Sequence, residues 1–328
     1  MPLNLANTSA IPVTQETNVS LNRRELLISG AAAGLALSAD NAQAAPSRFH
    51  FVHITDTHIQ PELGAASGVH RAFQAVKALE HKPAFGLIGG DLVMDASRVS
   101  HDRADRVFAL WREQAETLGM PLHYSMGNHD LYGLGSEAEG KPSTDSPDYG
   151  KTLWKKRLGL STTYSTFDHQ GWRFVSLDSA GITPDYGWEG VLDPAQISWL
   201  DNLLRKTPRT MPMVFLTHYP IFTAFTQYYD GPEKGPTSGM VVKNGKQFRE
   251  MIQKHTVKAV FQGHSHIVEE IEYLGVKYIT GGAVCGEWWK GPRLGVHPEG
   301  FVSVTVEGQN LHWKYVPYGW NAAQHASA

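Results

Sequence analysis

The chain has 328 residues, of which 41% are hydrophobic and 19% are charged, and its formal net charge is -3. This length and balance are typical of a globular protein with one large domain or two small ones. The small net charge gives no electrostatic reason to expect a nucleic acid or an anionic membrane as a stable partner. Cys285 is the single cysteine, which excludes a disulfide within the chain and argues against a thiolate metal site.

Residues 1–44 differ in composition from the rest of the chain. The pair Arg23 and Arg24 precedes a mildly apolar stretch rich in alanine and glycine, and a small-x-small cleavage pattern ends at Ala44. These signals, in this order, resemble a bacterial twin-arginine export signal; the alternative is a terminal tail with a chance arginine pair. We expect the twin-arginine machinery to export a mature chain of residues 45–328 to the periplasm or the medium. No later segment is long and apolar enough to span a membrane.

Three β-α units follow in succession. Apolar and β-branched residues predict strands at 49–55, 85–88 and 122–126, and helical spacing predicts helices at 69–79 and 107–118. Each strand is followed directly by residues of the types that bind metals. Strands joined by helices imply parallel pairs, and functional residues collect beyond the carboxyl ends of such strands.

The remainder of the chain is richer in strands. Asp193 as N-cap and Pro194 at the first helical position predict one further helix, and residues 131–150 and 223–245 read as long loops. Predicted strands cover residues 164–167 and 172–177, which form a hairpin, and then 213–217, 257–261, 267–273, 276–280, 301–306 and 311–316. No internal repeat and no linker divides residues 45–328, so a single layered domain is expected.

Side chains with metal-ligand chemistry follow five of the predicted strands. They are Asp56, His58, Asp91, Asn128, His129, His218, His264 and His266. Hard and borderline divalent metals bind carboxylate oxygen, amide oxygen and imidazole nitrogen. A single Asp-x-His or His-x-His motif is common by chance, but five such elements in order, each at a strand end, predict a metal site. Glycines that permit tight turns precede three of the ligand groups, at Gly90, Gly127 and Gly263.

The order Asp-x-His, Gly-Asp, Gly-Asn-His-Asp, His, Gly-His-x-His resembles the calcineurin-like metallophosphoesterases over the region from Asp56 to His266. The resemblance implies an α/β fold, a four-layer α-β-β-α sandwich of two mixed sheets flanked by helices. It also implies two metal ions, divalent or of mixed valence. Mn, Fe, Zn and Mg are all candidates, because each accepts mixed nitrogen and oxygen ligands.

The same resemblance implies a role for each polar residue. The implied ligand sets are Asp56, His58 and His266 for one metal, Asn128, His218 and His264 for the other, and Asp91 as the bridge between them. His129 would lie beside the scissile phosphate as general acid or charge stabiliser. Asp130 would orient His129 through the other ring nitrogen.

The implied reaction is hydrolysis of a small phosphate mono- or diester by a metal-bridging hydroxide, with His129 assisting the leaving group. Purple acid phosphatases have a tyrosine three residues after the bridging aspartate, where this chain has Met94. The pattern is more similar to the bacterial cyclic-nucleotide phosphodiesterase branch. Two other hypotheses are an inactive periplasmic binding protein on the same fold and a two-metal hydrolase of a non-phosphate bond. The complete ligand set disfavours the first, and the motif order disfavours the second.

Several aromatic residues allow two interpretations. Trp288 and Trp289 either pack in the core or form a rim beside the metals, where aromatic rings stack on a base or an apolar leaving group. Tyr228 and Tyr229 lie in the second predicted loop. Because a long loop in a compact domain is often functional, a position at the rim of the substrate site is slightly favoured for them. His53 alternates with apolar neighbours on the first strand and is expected to be buried and structural.

Overall fold

Strands and helices alternate through the first part of the computed structural model, which describes residues 48–135 and 142–325. In chain order the elements are β1 (Arg48–Ile54), α1 (Ala65–Lys77), β2 (Gly86–Ile88), α2 (His101–Glu116), β3 (Leu122–Tyr124), α3 (Thr152–Leu158), β4 (Ser165–His169), β5 (Trp172–Ser176), β6 (Ala180–Ile182), β7 (Trp188–Gly190), α4 (Pro194–Lys206), β8 (Met213–Leu216), α5 (Phe225–Asp230), α6 (Gly245–Ile252), β9 (Val257–Gln262), β10 (Val268–Tyr273), β11 (Val276–Gly281), β12 (Gly300–Glu307) and β13 (Asn310–Pro317). A single 3₁₀ turn, Ala322–Gln324, follows β13.

The first sheet has five strands in the order β13-β12-β1-β2-β3. β1 pairs in parallel with β2, and β2 in parallel with β3. β12 runs antiparallel to both of its neighbours, β1 and β13. Because α1 and α2 connect the parallel strands, the carboxyl ends of β1, β2 and β3 lie at the same edge of the sheet.

The second sheet has six strands in the order β10-β11-β9-β8-β5-β4. Its four central strands are parallel to one another. The two edge strands, β4 and β10, run antiparallel to their neighbours. Both large sheets are therefore mixed, as predicted, and β6 and β7 form a separate two-stranded sheet.

Aromatic side chains fill the space between the two large sheets. Phe51 of β1 has its ring centroid 5.5 Å from that of Phe174 on β5 and 5.7 Å from that of Phe261 on β9. Phe49 and Phe85 of the first sheet lie in the same buried cluster. The sheets therefore pack face to face over an apolar core, which contributes the largest favourable term to folding.

Helices cover the outer faces of both sheets. Phe73 of α1 and Trp111 of α2 have ring centroids 5.6 Å apart and share a buried cluster with Ile54 of β1. On the other side, Phe248 of α6 packs on Phe215 of β8 with ring centroids 5.1 Å apart. The predicted arrangement of two mixed sheets flanked by helices is confirmed.

The predicted and observed elements differ at short elements and at helix starts: α1 begins at Ala65 and α2 at His101, before the predicted starts at 69 and 107. The predicted strands and the helix capped by Asp193 are present, and the Asp193 carboxylate accepts a hydrogen bond from the Gln196 amide at 2.8 Å. The unpredicted elements are α3, β6, β7, α5 and α6. The longest of these, α6, has eight residues. Such segments hold too few positions for an apolar period to register.

The described residues belong to one compact unit. None of the helices within residues 48–135 and 142–325 is long and apolar enough to cross a membrane. The predicted export signal, residues 1–44, lies outside the described part of the chain and stays a prediction.

Candidate functional site

The carboxyl ends of five strands carry the predicted ligands. Asp56 and His58 follow β1, Asp91 follows β2, Asn128 and His129 follow β3, His218 follows β8, and His264 and His266 follow β9. The first three strands belong to the first sheet and the other two to the second. The site therefore joins the two halves of the sandwich.

A left-handed backbone recurs at these positions. The φ angle is 53° at Asp56, 39° at His58, 50° at Asp91, 73° at His264 and 60° at His266. Residues other than glycine rarely adopt positive φ, and each costs roughly 1–3 kcal/mol. Their clustering indicates that the fold holds these side chains in place at the expense of local stability.

One group of ligand atoms surrounds the carboxylate of Asp56. Its Oδ1 atom lies 3.3 Å from Nε2 of His266 and 3.9 Å from Nε2 of His58. The two imidazole nitrogens are themselves 3.1 Å apart. All three side chains are buried, so two nitrogens and one carboxylate oxygen converge on the same small space.

A second group lies on the other side of Asp91. Oδ2 of Asp91 is 3.3 Å from Nε2 of His218, and that nitrogen is 3.2 Å from Oδ1 of Asn128. A ligand atom of His264 joins Asp91 and His218 within 4.8 Å. The same Oδ2 atom lies 3.4 Å from Nε2 of His58 in the first group. Asp91 therefore stands between the two groups, and the predicted ligands come together as two sets that share it.

Backbone carbonyl oxygens fix the orientation of three histidines. His218 donates through Nδ1 to Gly89 at 2.8 Å, and His266 donates through Nδ1 to Gly286 at 2.6 Å. His264 donates through Nε2 to the carbonyl oxygen of Gly239 at 2.8 Å. Each ring is held through one nitrogen, which leaves the other nitrogen available as a ligand.

Charge balance in the buried site explains its pKa shifts. Burial raises the pKa of Asp56, but the charge and hydrogen bond of His266 outweigh burial and bring it to about 2. Burial lowers the pKa of His218, but the charge and hydrogen bond of Asp91 outweigh burial and raise it to about 9. At His264, burial and then the charge of His218 lower the pKa to about 4. The buried carboxylates therefore require nearby positive charge.

This donor set fits divalent cations. Two buried carboxylates and the imidazoles of His58, His218 and His266 face one another at 3.1–3.9 Å, and His264 adds a fourth imidazole beside them. Nδ1 of His58 is buried and has no hydrogen-bond partner among the described residues. Burying anionic groups is costly unless they are paired or coordinate a metal. Carboxylate, amide and imidazole are the ligand types that Mn, Fe, Zn and Mg accept.

His129 is placed differently from the other histidines. Its Nδ1 donates to the carbonyl oxygen of Met94 at 2.6 Å, and its backbone amide donates to Oδ1 of Asp91 at 2.9 Å. The ring is half-buried, and its centroid lies 4.7 Å from that of His58. Because Nδ1 is engaged, Nε2 is the nitrogen that can exchange a proton at the site.

The expected contact between Asp130 and His129 is wrong. The Asp130 carboxylate instead accepts from backbone amides, from Leu92 at 2.8 Å, from Val93 at 3.4 Å and from Gly127 at 3.0 Å. Burial, followed by the negative charge of Asp91, raises the pKa of Asp130 to about 7. Asp130 therefore ties the turns after β2 and β3 together, and the Met94 carbonyl holds His129.

The two adjacent tryptophans divide between the two interpretations. Trp289 is buried and donates through Nε1 to the carbonyl oxygen of His58 at 2.9 Å. Trp288 is partly exposed, and its ring centroid lies 4.9 Å from that of His266. Trp289 is therefore a core residue, whereas Trp288 lies at the rim of the site.

The tyrosine pair lies on the surface, whereas His53 and the cysteine are buried. Tyr228 is 81% exposed and Tyr229 41% exposed, and both lie on the short helix α5. His53 is buried, as predicted, and burial lowers its pKa to about 3. Cys285 is a buried free thiol with its Sγ 3.7 Å from Nδ1 of His266. His266 contacts Asp56 through its other ring nitrogen, Nε2.

Sequence reasoning missed several contributors to the site. Gly89, Met94, Gly239 and Gly286 act through backbone carbonyls. Trp188 acts through its ring, whose centroid lies 6.0 Å from that of His129. A carbonyl acceptor has no side-chain signature. Trp188 opens the three-residue strand β7, which is too short for a periodic signal.

Comparisons with known proteins identify the family of the chain. The family profile described as calcineurin-like phosphoesterase matches residues 49–268, a span that contains every candidate ligand. A probable cyclic nucleotide phosphodiesterase of Synechococcus sp. is 27% identical over 271 residues, which are 79% of this chain and 90% of that protein. A dimetal phosphatase from Danio rerio has a similar fold, with a TM-score of 0.58 and 15% identity over 83% of this chain and 96% of that one. The chain belongs to the calcineurin-like phosphoesterase family and is a metal-dependent phosphoester hydrolase.

Proposed function

We propose that the enzyme holds two metal ions and hydrolyses a small phosphate mono- or diester at them. One observation carries the proposal: Oδ2 of Asp91 lies 3.4 Å from Nε2 of His58 and 3.3 Å from Nε2 of His218. One carboxylate oxygen thus faces a nitrogen of each ligand group, as a bridging ligand requires. The proposed ligands are Asp56, His58 and His266 for one ion, Asn128, His218 and His264 for the other, and Asp91 for both.

Residues of the chain itself supply the proton for the leaving group and orient the ligands. When bound, the cations neutralise the phosphate oxygens and lower the pKa of a bound water. His129 donates a proton from Nε2 to the departing oxygen, while the Met94 carbonyl keeps the other nitrogen protonated. The amide of His129 also donates to Oδ1 of Asp91, which orients the bridging carboxylate. The buried setting strengthens each of these electrostatic contacts.

The proposed substrate class, which membership of the family supports, includes both mono- and diesters. The Synechococcus relative carries the description of a probable cyclic nucleotide phosphodiesterase. Met94 stands three residues after Asp91, where purple acid phosphatases have tyrosine, and it supports the same branch. Cyclic AMP therefore belongs among the test substrates, beside a diester and a monoester of p-nitrophenol.

The test compares the full chain, loaded with Mn²⁺, with its Asp91→Asn variant. We expect wild-type turnover of at least one of bis(p-nitrophenyl) phosphate, p-nitrophenyl phosphate and cyclic AMP. The variant should lose at least about 100-fold in activity and bind less metal, because ligand changes cost more than changes in the surrounding shell. Asp168→Asn, at a surface ion pair with Arg173, is the matched control. Absence of turnover on all three substrates, or equal turnover by Asp91→Asn, contradicts the proposal.

We further propose that residues 1–44 form a twin-arginine export signal and that the mature enzyme works in the periplasm or outside the cell. The paired Arg23 and Arg24, the mild apolar stretch and the cleavage pattern ending at Ala44 support this. Replacing both arginines by lysine should retain the uncleaved chain in the cytoplasm, as followed by cell fractionation and immunoblotting. Export of this variant at the wild-type level contradicts the proposal.

A further inference from the structure

Five aromatic rings follow one another across the site. The Trp188 centroid lies 6.0 Å from that of His129, and His129 lies 4.7 Å from His58. His58 lies 4.9 Å from His266, and His266 lies 4.9 Å from Trp288. The two tryptophans therefore contact different histidines, one beside the proposed acid and one beside a ligand of the first metal.

The backbone presents Trp288 to the site under strain. Its φ angle is 47°, a conformation that bulky side chains rarely adopt. The next residue, Trp289, also has positive φ, at 69°, and its buried ring anchors the segment through the carbonyl of His58. Strained backbone persists where the surrounding structure imposes it, and such positions cluster at functional sites. The anchor at Trp289 explains how the partly exposed Trp288 stays beside His266.

Each of the two rim tryptophans carries an arginine over its ring. Cζ of Arg98 lies 4.9 Å from the centroid of Trp188, and Cζ of Arg293 lies 5.3 Å from that of Trp288. Arg293 is held by Glu287, with Nη1 to Oε1 at 2.6 Å. A stacked guanidinium is attracted to the face of the ring and limits its motion.

We propose that Trp188 and Trp288 determine specificity by each holding one of the two ester substituents of a phosphodiester. At least one of these substituents is planar and aromatic. This inference rests on the phosphoesterase function proposed above. The leaving group departs towards the acid, His129, and so passes beside Trp188. The substituent that stays on phosphorus projects away from that line, towards His266 and Trp288. A monoester has only oxygens on that side and makes no use of Trp288.

The test uses three substrates that all release p-nitrophenolate and differ only in the group that stays on phosphorus. They are bis(p-nitrophenyl) phosphate, methyl p-nitrophenyl phosphate and p-nitrophenyl phosphate. Trp288→Ala should lower kcat/KM about tenfold for the first, mainly through KM, because stacking on an aromatic side chain is lost. It should leave the other two unchanged. Trp188→Ala should lower kcat/KM for all three, because their leaving group is the same.

Three controls separate a stacking role from a structural one. Trp288→Phe keeps an aromatic face and should retain most of the activity on the bis-aryl substrate. Tyr273→Ala removes an exposed aromatic residue from the end of β10 distant from the site, and all three rates should stay the same. Metal content and the unfolding temperature should match wild type in every variant.

The outcomes distinguish the two proposals. If wild type hydrolyses none of the three esters and no cyclic AMP, the proposed function fails, and this inference fails with it. If wild type hydrolyses cyclic AMP alone, the phosphoesterase function stands and this inference is wrong. If wild type is active but Trp288→Ala changes all three rates equally, or none, the phosphoesterase function stands and the role of Trp288 is wrong. If Trp188→Ala affects only the bis-aryl substrate, the assignment of the leaving group to Trp188 is wrong.

Discussion

Backbone carbonyl oxygens, more than other side chains, orient the working histidines. Gly89, Gly286 and Met94 each accept a hydrogen bond from the ring nitrogen of one of them, at 2.6–2.8 Å. A carbonyl is acceptor only, so it fixes which nitrogen carries the proton and which faces the site. The chemistry of each imidazole is thus set by the path of the neighbouring backbone.

The proposed acid makes one prediction for kinetics. His129→Ala should lower kcat by about 10²–10⁴-fold on esters with a poor leaving group such as phenolate. The loss should be much smaller with p-nitrophenolate, which departs without a proton. Rates on a series of substituted phenyl esters measure this dependence. His312→Ala, an exposed histidine on β13, serves as control, and an equal loss across the series would falsify the acid role.

The placement of Asp130 predicts a stability defect. Its carboxylate accepts from three backbone amides, and in an Asp130→Asn variant the new side-chain amide would turn a donor towards one of them. We expect a loss of about 1–3 kcal/mol in the free energy of unfolding, measured by urea denaturation of metal-free protein. Asp201→Asn changes a partly exposed carboxylate on α4 that pairs with Arg205, and it should be nearly neutral. Unchanged stability of Asp130→Asn would mean that these backbone hydrogen bonds contribute little to the fold, and it would contradict the prediction.

The turns after the parallel strands combine strained backbone with close packing. A β-carbon on Gly263 would stand 2.3 Å from Oγ1 of Thr55 and 2.5 Å from Oδ2 of Asp56. Gly90 has a φ angle of +92°. Here glycine is required both for conformation and for space, as the sequence pattern indicated. Strand ends and turns together set the distance between the two ligand groups.

Gly127 provides the sharpest test of these turns. A β-carbon there would meet Oδ1 of Asp91 at 2.1 Å and its backbone nitrogen at 2.2 Å. Gly127→Ala should therefore displace the Asp91 carboxylate, which we propose as the bridge, reduce metal content and destabilise the fold by about 1–3 kcal/mol. A β-carbon on Gly235 would meet no atom of the described residues within 4 Å, so Gly235→Ala is the matched control. Elemental analysis and thermal unfolding measure the two effects, and full metal content in Gly127→Ala would refute the bridging geometry.

The site connects the two sheets of the sandwich. Asp56 and Asp91 come from the first sheet, and His218 and His266 come from the second. Contacts at 3.3 Å cross between the sheets, from Asp56 to His266 and from Asp91 to His218. A cation bound by residues of both sheets stabilises the folded state, because the unfolded chain does not preserve the site.

Metal removal should therefore lower stability as well as activity. EDTA treatment should abolish hydrolysis and lower the unfolding temperature by roughly 5–10 °C, the shift expected from ligand linkage in a domain of this size. Added Mn²⁺ should restore both. Asp91→Asn should show a smaller shift, which links the effect to the site. Differential scanning calorimetry provides the measurement, and an equal unfolding temperature with and without EDTA argues against metal binding across the sheets.

Local sequence was sufficient to predict the strands and the clustering of Asp56, His58, Asp91 and the other predicted ligands, whereas the sandwich of two mixed sheets was implied by the family resemblance. The reason is that a strand's apolar period and the residue at its end are both readable from neighbours in the chain, and parallel strands bring their carboxyl ends together. A recurring order of motifs added the family. Short elements such as α3 and β7 were not predicted, because they have too few residues to show an apolar periodicity.

Local sequence patterns did not predict the contacts between residues distant in the chain. Asp130 stands next to His129 in sequence but bonds to the amides of Leu92, Val93 and Gly127. Trp188 reaches His129 from another sheet, and the adjacent Trp288 and Trp289 lie one at the rim and one in the core. Which neighbour a side chain meets depends on how the sheets and turns pack, and packing is settled only when the whole chain has folded.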